Sequence, residues 1–194
     1  MNRISLLLVM AATLATLSGC QSIGSEPLSS ARSIYTGDNS LLYQVKKQAS
    51  SPDQAMQIAA MAYQAGDLDQ ALYQYLRTLE LDPQRYAALV WVGRIHRERG
   101  NSQLAEMAFA DVLKNDSENL SALTEMGLLQ LALRRQEQAT QILTSAVAID
   151  QKRFDGDALQ VDSQSPLKLY NGMGVLADLR NDFTSAALYY DLSL

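Results

Sequence analysis

The sequence predicts an all-α fold, a row of short helix pairs stacked into a solenoid. Three observations carry that prediction. Residues of matched size recur every 34 positions: Gly66 and Gly100; Ala71, Ala105 and Ala139; Gly93 and Gly127; Tyr75, Phe109 and Leu143. A fixed period of this length marks a chain that builds one supersecondary unit over and over. Proline is scarce, with four residues at 27, 52, 83 and 166, whereas alanine, leucine and glutamine abound. That is a helix-forming composition. The breaks between periodic segments also carry helix stop and start residues: Gly66 with Asp67, Gly100 with Ser102, Asn181 with Asp182. Glycine or asparagine accepts the left-handed conformation that closes a helix, and aspartate or serine caps the next one.

The chain opens on one cation, Arg3, then an apolar run from Ile4 to Leu17, then Ser18-Gly19 and the single cysteine, Cys20. This is the layout of a secretory signal. The run is shorter than the roughly 20 residues that a bilayer core requires. Leu17-Ser18-Gly19-Cys20 resembles the bacterial lipoprotein box. The resemblance implies a diacylglycerol on the Cys20 thiol, removal of residues 1–19, and acylation of the new amine. Several acyl chains anchor firmly, since each buried methylene contributes about 0.8 kcal/mol. Gln21 stands where an aspartate resembles an inner-membrane retention signal, so the expected location is the outer membrane, lipid-anchored and facing the periplasm.

With Cys20 lipidated, no thiol remains for a disulfide, a zinc cluster or a nucleophile. One histidine, His96, leaves little scope for metal ligation, and we expect neither metal nor cofactor. The net charge of -5 becomes more negative once Arg3 is lost. That argues against nucleic acid as a partner.

Residues 20–51 read as a flexible tether, small and polar from Gln21 to Ser30. Within it, Leu41-Leu42-Tyr43-Gln44-Val45 is apolar enough for a short helix or for docking on the domain. The array then fills 52–194, in units of about 52–85, 86–119, 120–153 and 167–194. The predicted helix pairs are 53–65 and 68–81, 86–99 and 102–114, 120–133 and 136–149, 167–179 and 183–194. In each unit a small residue precedes the alanine by twelve: Ala59/Ala71, Gly93/Ala105, Gly127/Ala139, Gly174/Ala186. A large residue follows it by four: Tyr75, Phe109, Leu143, Tyr190. This in-phase set resembles the tetratricopeptide repeat (TPR). The resemblance implies helix-turn-helix units wound into a right-handed superhelix. Neither helix of a unit buries its apolar face alone, so units must stack. The small residue and the alanine are expected to let helices approach closely, and the large residue to fill the space between units.

Gly127 and Gly174 are 47 apart, thirteen more than the period, so an insertion is expected at 154–166. It carries Asp155, Asp157 and Asp162 but lacks the downstream glutamate of an EF-hand, and reads as a solvated acidic loop. Leu194 falls at position 28 of a 34-residue unit, inside an uncapped helix. This predicts a truncated last unit, with further repeats in the natural protein.

No phosphate-cradling loop, HExxH pair or serine elbow is present, and we expect neither an enzyme nor a small-molecule substrate. Asn171-Gly172-Met173-Gly174 lies in phase on a first helix, which makes it a packing feature. His96 is expected to be a partly buried packing residue, and Trp91 a core or interface residue. Binding must then come from shape. By the family resemblance, first helices line a concave groove. Its candidate residues are Tyr63 in the first unit, Arg94 and Arg97 in the second, Leu128 and Leu131 in the third, and Lys168, Asn171 and Asp178 in the fourth. Arg94 and Arg97 share a helix face. With the leucines beside them they predict a partner segment that is both acidic and apolar. The Lys/Asn clamp of chaperone-binding repeats is not present at its usual spacing.

Tyr170-Asn-Gly-Met-Gly-Val-Leu-Ala-Asp-Leu179 resembles the N-G-x-G-V-x-x-D-L segment of the tight-adherence (Tad/Flp) pilus assembly lipoproteins, the TadD-like group. That likeness implies an outer-membrane pilotin or assembly scaffold, with a secretin or another pilus-machine component as partner. Two alternatives share the architecture: a type IV pilus pilotin-like lipoprotein, and an adaptor scaffolding periplasmic peptidoglycan hydrolases.

Overall fold

The computed structural model describes residues 49–154 and 164–194. Short polar side chains begin the helices. Ser51 accepts from the Gln54 amide and Asp67 from the Gln70 amide; Asn119 and Asp182 do the same for the Ala122 and Ser185 amides. Each bond satisfies one of the four amides that a helix start leaves without a partner. The helices are α1 (Pro52–Gln64), α2 (Leu68–Leu81), α3 (Tyr86–Glu98), α4 (Ser102–Asn115), α5 (Leu120–Ala132), α6 (Gln136–Phe154), α7 (Gln164–Leu179) and α8 (Phe183–Asp191). Each first helix ends on a left-handed residue, with a 6→1 bond behind it. In the first unit, Asp67 N donates to Ala62 O at 2.9 Å; in the second, Asn101 N donates to His96 O at 2.8 Å. These are Schellman turns.

Each helix packs on the next in sequence, and α5 also lies against both α3 and α7. Like helices approach only on the inner side of a curved stack, so the first helices line the inner face. The outcome is an all-α helix-turn-helix solenoid. Its buried core falls into two clusters, one with Leu72, Leu76 and Phe109 and one with Leu143, Leu169 and Leu176, and the partly buried Leu113 and Ile142 pack against both.

The large residues of the second, third and fourth units also make a contact that was not expected. A Cβ on Gly93 would stand 2.5 Å from the Phe109 ring, and one on Gly174 would stand 2.5 Å from the Tyr190 ring; Leu143 covers Gly127 in the same way. The large side chain thus fills the hollow over the small residue of its own unit, and two of them also reach the next unit as expected: Tyr75 stacks on Trp91, and Leu143 lies 3.3 Å from where a Cβ on Gly172 would stand.

The helices on either side of the expected insertion run further than the sequence suggested. α6 continues to Phe154, past the expected end at 149, and α7 begins at Gln164. Pro166 falls in the first turn of α7, where a missing amide breaks no helical bond. Asp155, Asp157 and Asp162 lie outside the described residues, as do Cys20, the rest of 1–48 and the apolar Leu41–Val45 stretch. Ala49, assigned above to the tether, is buried, and its carbonyl accepts from Arg77 Nε at 3.4 Å. Among the described residues no helix is long and apolar enough to cross a membrane.

Candidate functional site

The inner face is built from side chains one helical turn apart. On α3, Trp91, Arg94 and Arg97 fall at i, i+3 and i+6, along one stripe. The Trp91 ring stacks on Tyr75 at 5.5 Å and takes the edge of Tyr63 at 4.8 Å. The Arg94 guanidinium lies over Trp91, 4.0 Å from the ring centroid, a cation–π contact. Tyr63 also donates to Glu98, which ties α1 to α3. Burial and that bond push the Tyr63 hydroxyl up to about 12, so it remains a donor at neutral pH.

The centre of the face is Glu125 on α5. Its side chain is 1% exposed, and three cations surround it. Arg94 Nε donates to Oε1 at 2.7 Å, an Arg97 terminal nitrogen stands 3.0 Å from Oε2, and Lys168 Nζ donates to Oε1 at 3.1 Å. Burial alone would raise the Glu125 carboxyl. Arg94, Arg97 and Lys168 together more than reverse that, and hold it below the ordinary glutamate value. One buried carboxylate therefore joins the first helices of the second, third and fourth units.

This geometry redistributes the candidate residues. Arg94 is 3% exposed at its side chain, enclosed between Trp91 and Glu125. It cannot meet a partner, contrary to the expectation that it presents charge to the groove. Arg97 at 25% and Lys168 at 34% are the accessible cations of the cluster. Leu128 and Leu131 are half-buried, because both reach α7: a Cβ on Gly172 would stand 2.9 Å from Leu128 and 3.9 Å from Leu131. Asn171 is exposed, and Asp178 is exposed and accepts from the Tyr190 hydroxyl at 2.7 Å. Tyr63 stands at the far end of the stripe, connected to the cluster through Trp91. His96 is buried.

Glu125 is the residue that sequence reasoning missed. One signal pointed to it: it is the single charged residue in α5, Leu-Ser-Ala-Leu-Thr-Glu-Met-Gly-Leu-Leu-Gln-Leu-Ala. A lone acid in so apolar a helix needs a cation, since an unpaired buried charge is costly.

No family model matches this chain, and no curated protein matches it. Solved structures do. PilF of Pseudomonas aeruginosa superposes with a TM-score of 0.59 at 22% identity, over 74% of this chain and 60% of that one. The chain thus spans about 60% of the PilF chain it matches. MamA of Desulfovibrio magneticus RS-1 gives 0.54 at 16% identity, over 86% of this chain and 93% of that one. The TPR2B domain of yeast Sti1, in complex with pHsp70, gives 0.52 at 11% identity, over 72% and 98%. These likenesses show the fold, an all-α TPR solenoid.

Proposed function

We propose that this chain is a protein-interaction scaffold of the Tad/Flp pilus machine, held on the periplasmic side of the outer membrane by lipid on Cys20. Its partner is the machine's secretin or another component of the same machine. The observation that carries the reading is the inner face. Three successive first helices are fixed to one carboxylate, Glu125, and leave Arg97 and Lys168 accessible at the surface. A rigid face of this kind recognises a protein segment without ordering itself on binding, which keeps the entropic cost low. Leu17-Ser18-Gly19-Cys20 supports the anchor, and the Asn171–Leu179 segment supports the choice of machine.

Two measurements test this. In cells carrying Tad genes, labelled palmitate should enter the wild-type chain, and Cys20→Ser should carry none. Cross-linked, detergent-solubilised membranes should return the Tad secretin or a neighbouring Tad component with the tagged wild type. Recovery of a type IV pilus secretin or of peptidoglycan hydrolases instead would move the chain to that machinery. Equal labelling of Cys20→Ser would remove the anchor.

A further inference from the structure

The three cations around Glu125 are not equivalent. Arg94 is enclosed, whereas Arg97 and Lys168 reach the inner surface. Lys168 directs one of its three N–H donors to Glu125. One carboxylate faces three positive charges, so positive charge is in excess there. Two other acids of this face do not pair with these cations. Glu98 accepts from Tyr63, and Asp178 stands ten residues along α7 from Lys168, about 15 Å at the helical rise.

An apolar strip runs on from the cations. Leu128 and Leu131 follow Glu125 up α5, and on α7 Val175, three residues on from the Gly172 that faces both, is 39% exposed. Lys168 and Val175 are seven residues apart, and Glu125 and Leu131 six, which places the far end of the strip about 9–10.5 Å along the helices from the cluster, with Leu128 between. In an extended polyproline-II segment, residues i and i+3 share a face and stand about 9 Å apart. We infer that the inner face seats an extended acidic segment of a partner protein, with one carboxylate on Arg97 and Lys168 and a large apolar side chain three residues away on Leu128, Leu131 and Val175. This rests on the scaffold reading above and specifies the partner's chemistry.

The probe is a fluorescein-labelled peptide, Glu-Pro-Pro-Leu within a Gly-Ser frame, with Gln-Pro-Pro-Leu as control. Anisotropy is followed with the lipidated full chain in nonionic detergent. The Glu peptide should bind about three- to five-fold more tightly than the Gln peptide, an effect of the size expected for an ion pair at a partly wet rim. Added salt should erode the preference. Arg97→Gln with Lys168→Gln should abolish it while the helical circular dichroism persists. Equal binding of the two peptides, no binding of either, or a preference that survives in the double variant would overturn the inference. Undiminished secretin capture by the double variant also overturns it and leaves the scaffold reading standing. Absence of secretin capture by the wild type overturns that reading, and the peptide comparison still decides the seat.

Discussion

Gly66, Gly100, Arg134 and Asn181 end the four first helices at φ values of +78°, +76°, +61° and +59°. Glycine adopts that region freely, and asparagine tolerates it. An arginine there holds its Cβ against a carbonyl, at a cost on the order of 1 kcal/mol. Arg134 is exposed, so its side chain gives little back. Arg134→Gly should therefore stabilise the chain by about 0.5–1 kcal/mol, after allowing for glycine's looser unfolded state. A urea midpoint that stays level or falls would count against this. Arg134 also shows what the sequence does not reveal residue by residue. Gly66, Gly100 and Asn181 announce their conformation by type. Arg134 does so only by lying 34 residues beyond Gly100. Glu125 was hidden for a related reason. Its partners come from α3 and α7, and no local pattern in α5 indicates which cations fold back onto it.

At the scale of the helix, packing depends on pairs sixteen residues apart: Ala59 with Tyr75, Gly93 with Phe109, Gly127 with Leu143, Gly174 with Tyr190. The periodicity named every member of these pairs, because size at a fixed interval is visible in one dimension. It did not reveal that the large residue covers the small one of its own unit, since contact direction depends on the helix crossing. Gly93→Ala should place its methyl against the Phe109 ring and cost about 1–3 kcal/mol in thermal or urea unfolding. Phe109→Leu in the same chain should recover part of that loss, so the two changes should not add. Strict additivity would show that the ring and the glycine do not touch. The ends of the insertion were illegible for another reason. α6 and α7 extend into it at Phe154 and Gln164, where the repeat pattern supplies no instruction. Pro166 misled as a boundary, because a first turn tolerates proline as readily as a loop does.

Across the whole molecule, Glu125 sets how three units sit against one another, since α3 and α7 both send cations to the carboxylate that α5 carries. Its carboxyl is held below the ordinary value of 4.5, so the folded chain favours the ionised form more than the unfolded chain does. The stabilisation is therefore fully present above that ordinary value. It is lost as pH falls through it towards the depressed folded value. Glu125→Gln leaves Arg94 buried without its counter-charge, and should cost about 3–5 kcal/mol at neutral pH. The other acids titrate in both chains, so the stability gap between wild type and Glu125→Gln isolates this one group. That gap should stay constant from pH 7 down to about 5 and then narrow steadily into the acid range. Denaturant unfolding across the pH series measures it. A gap that keeps its width down to pH 3 would mean that the Glu125 carboxyl binds its proton equally in both states. The three cations would then not be what joins the units.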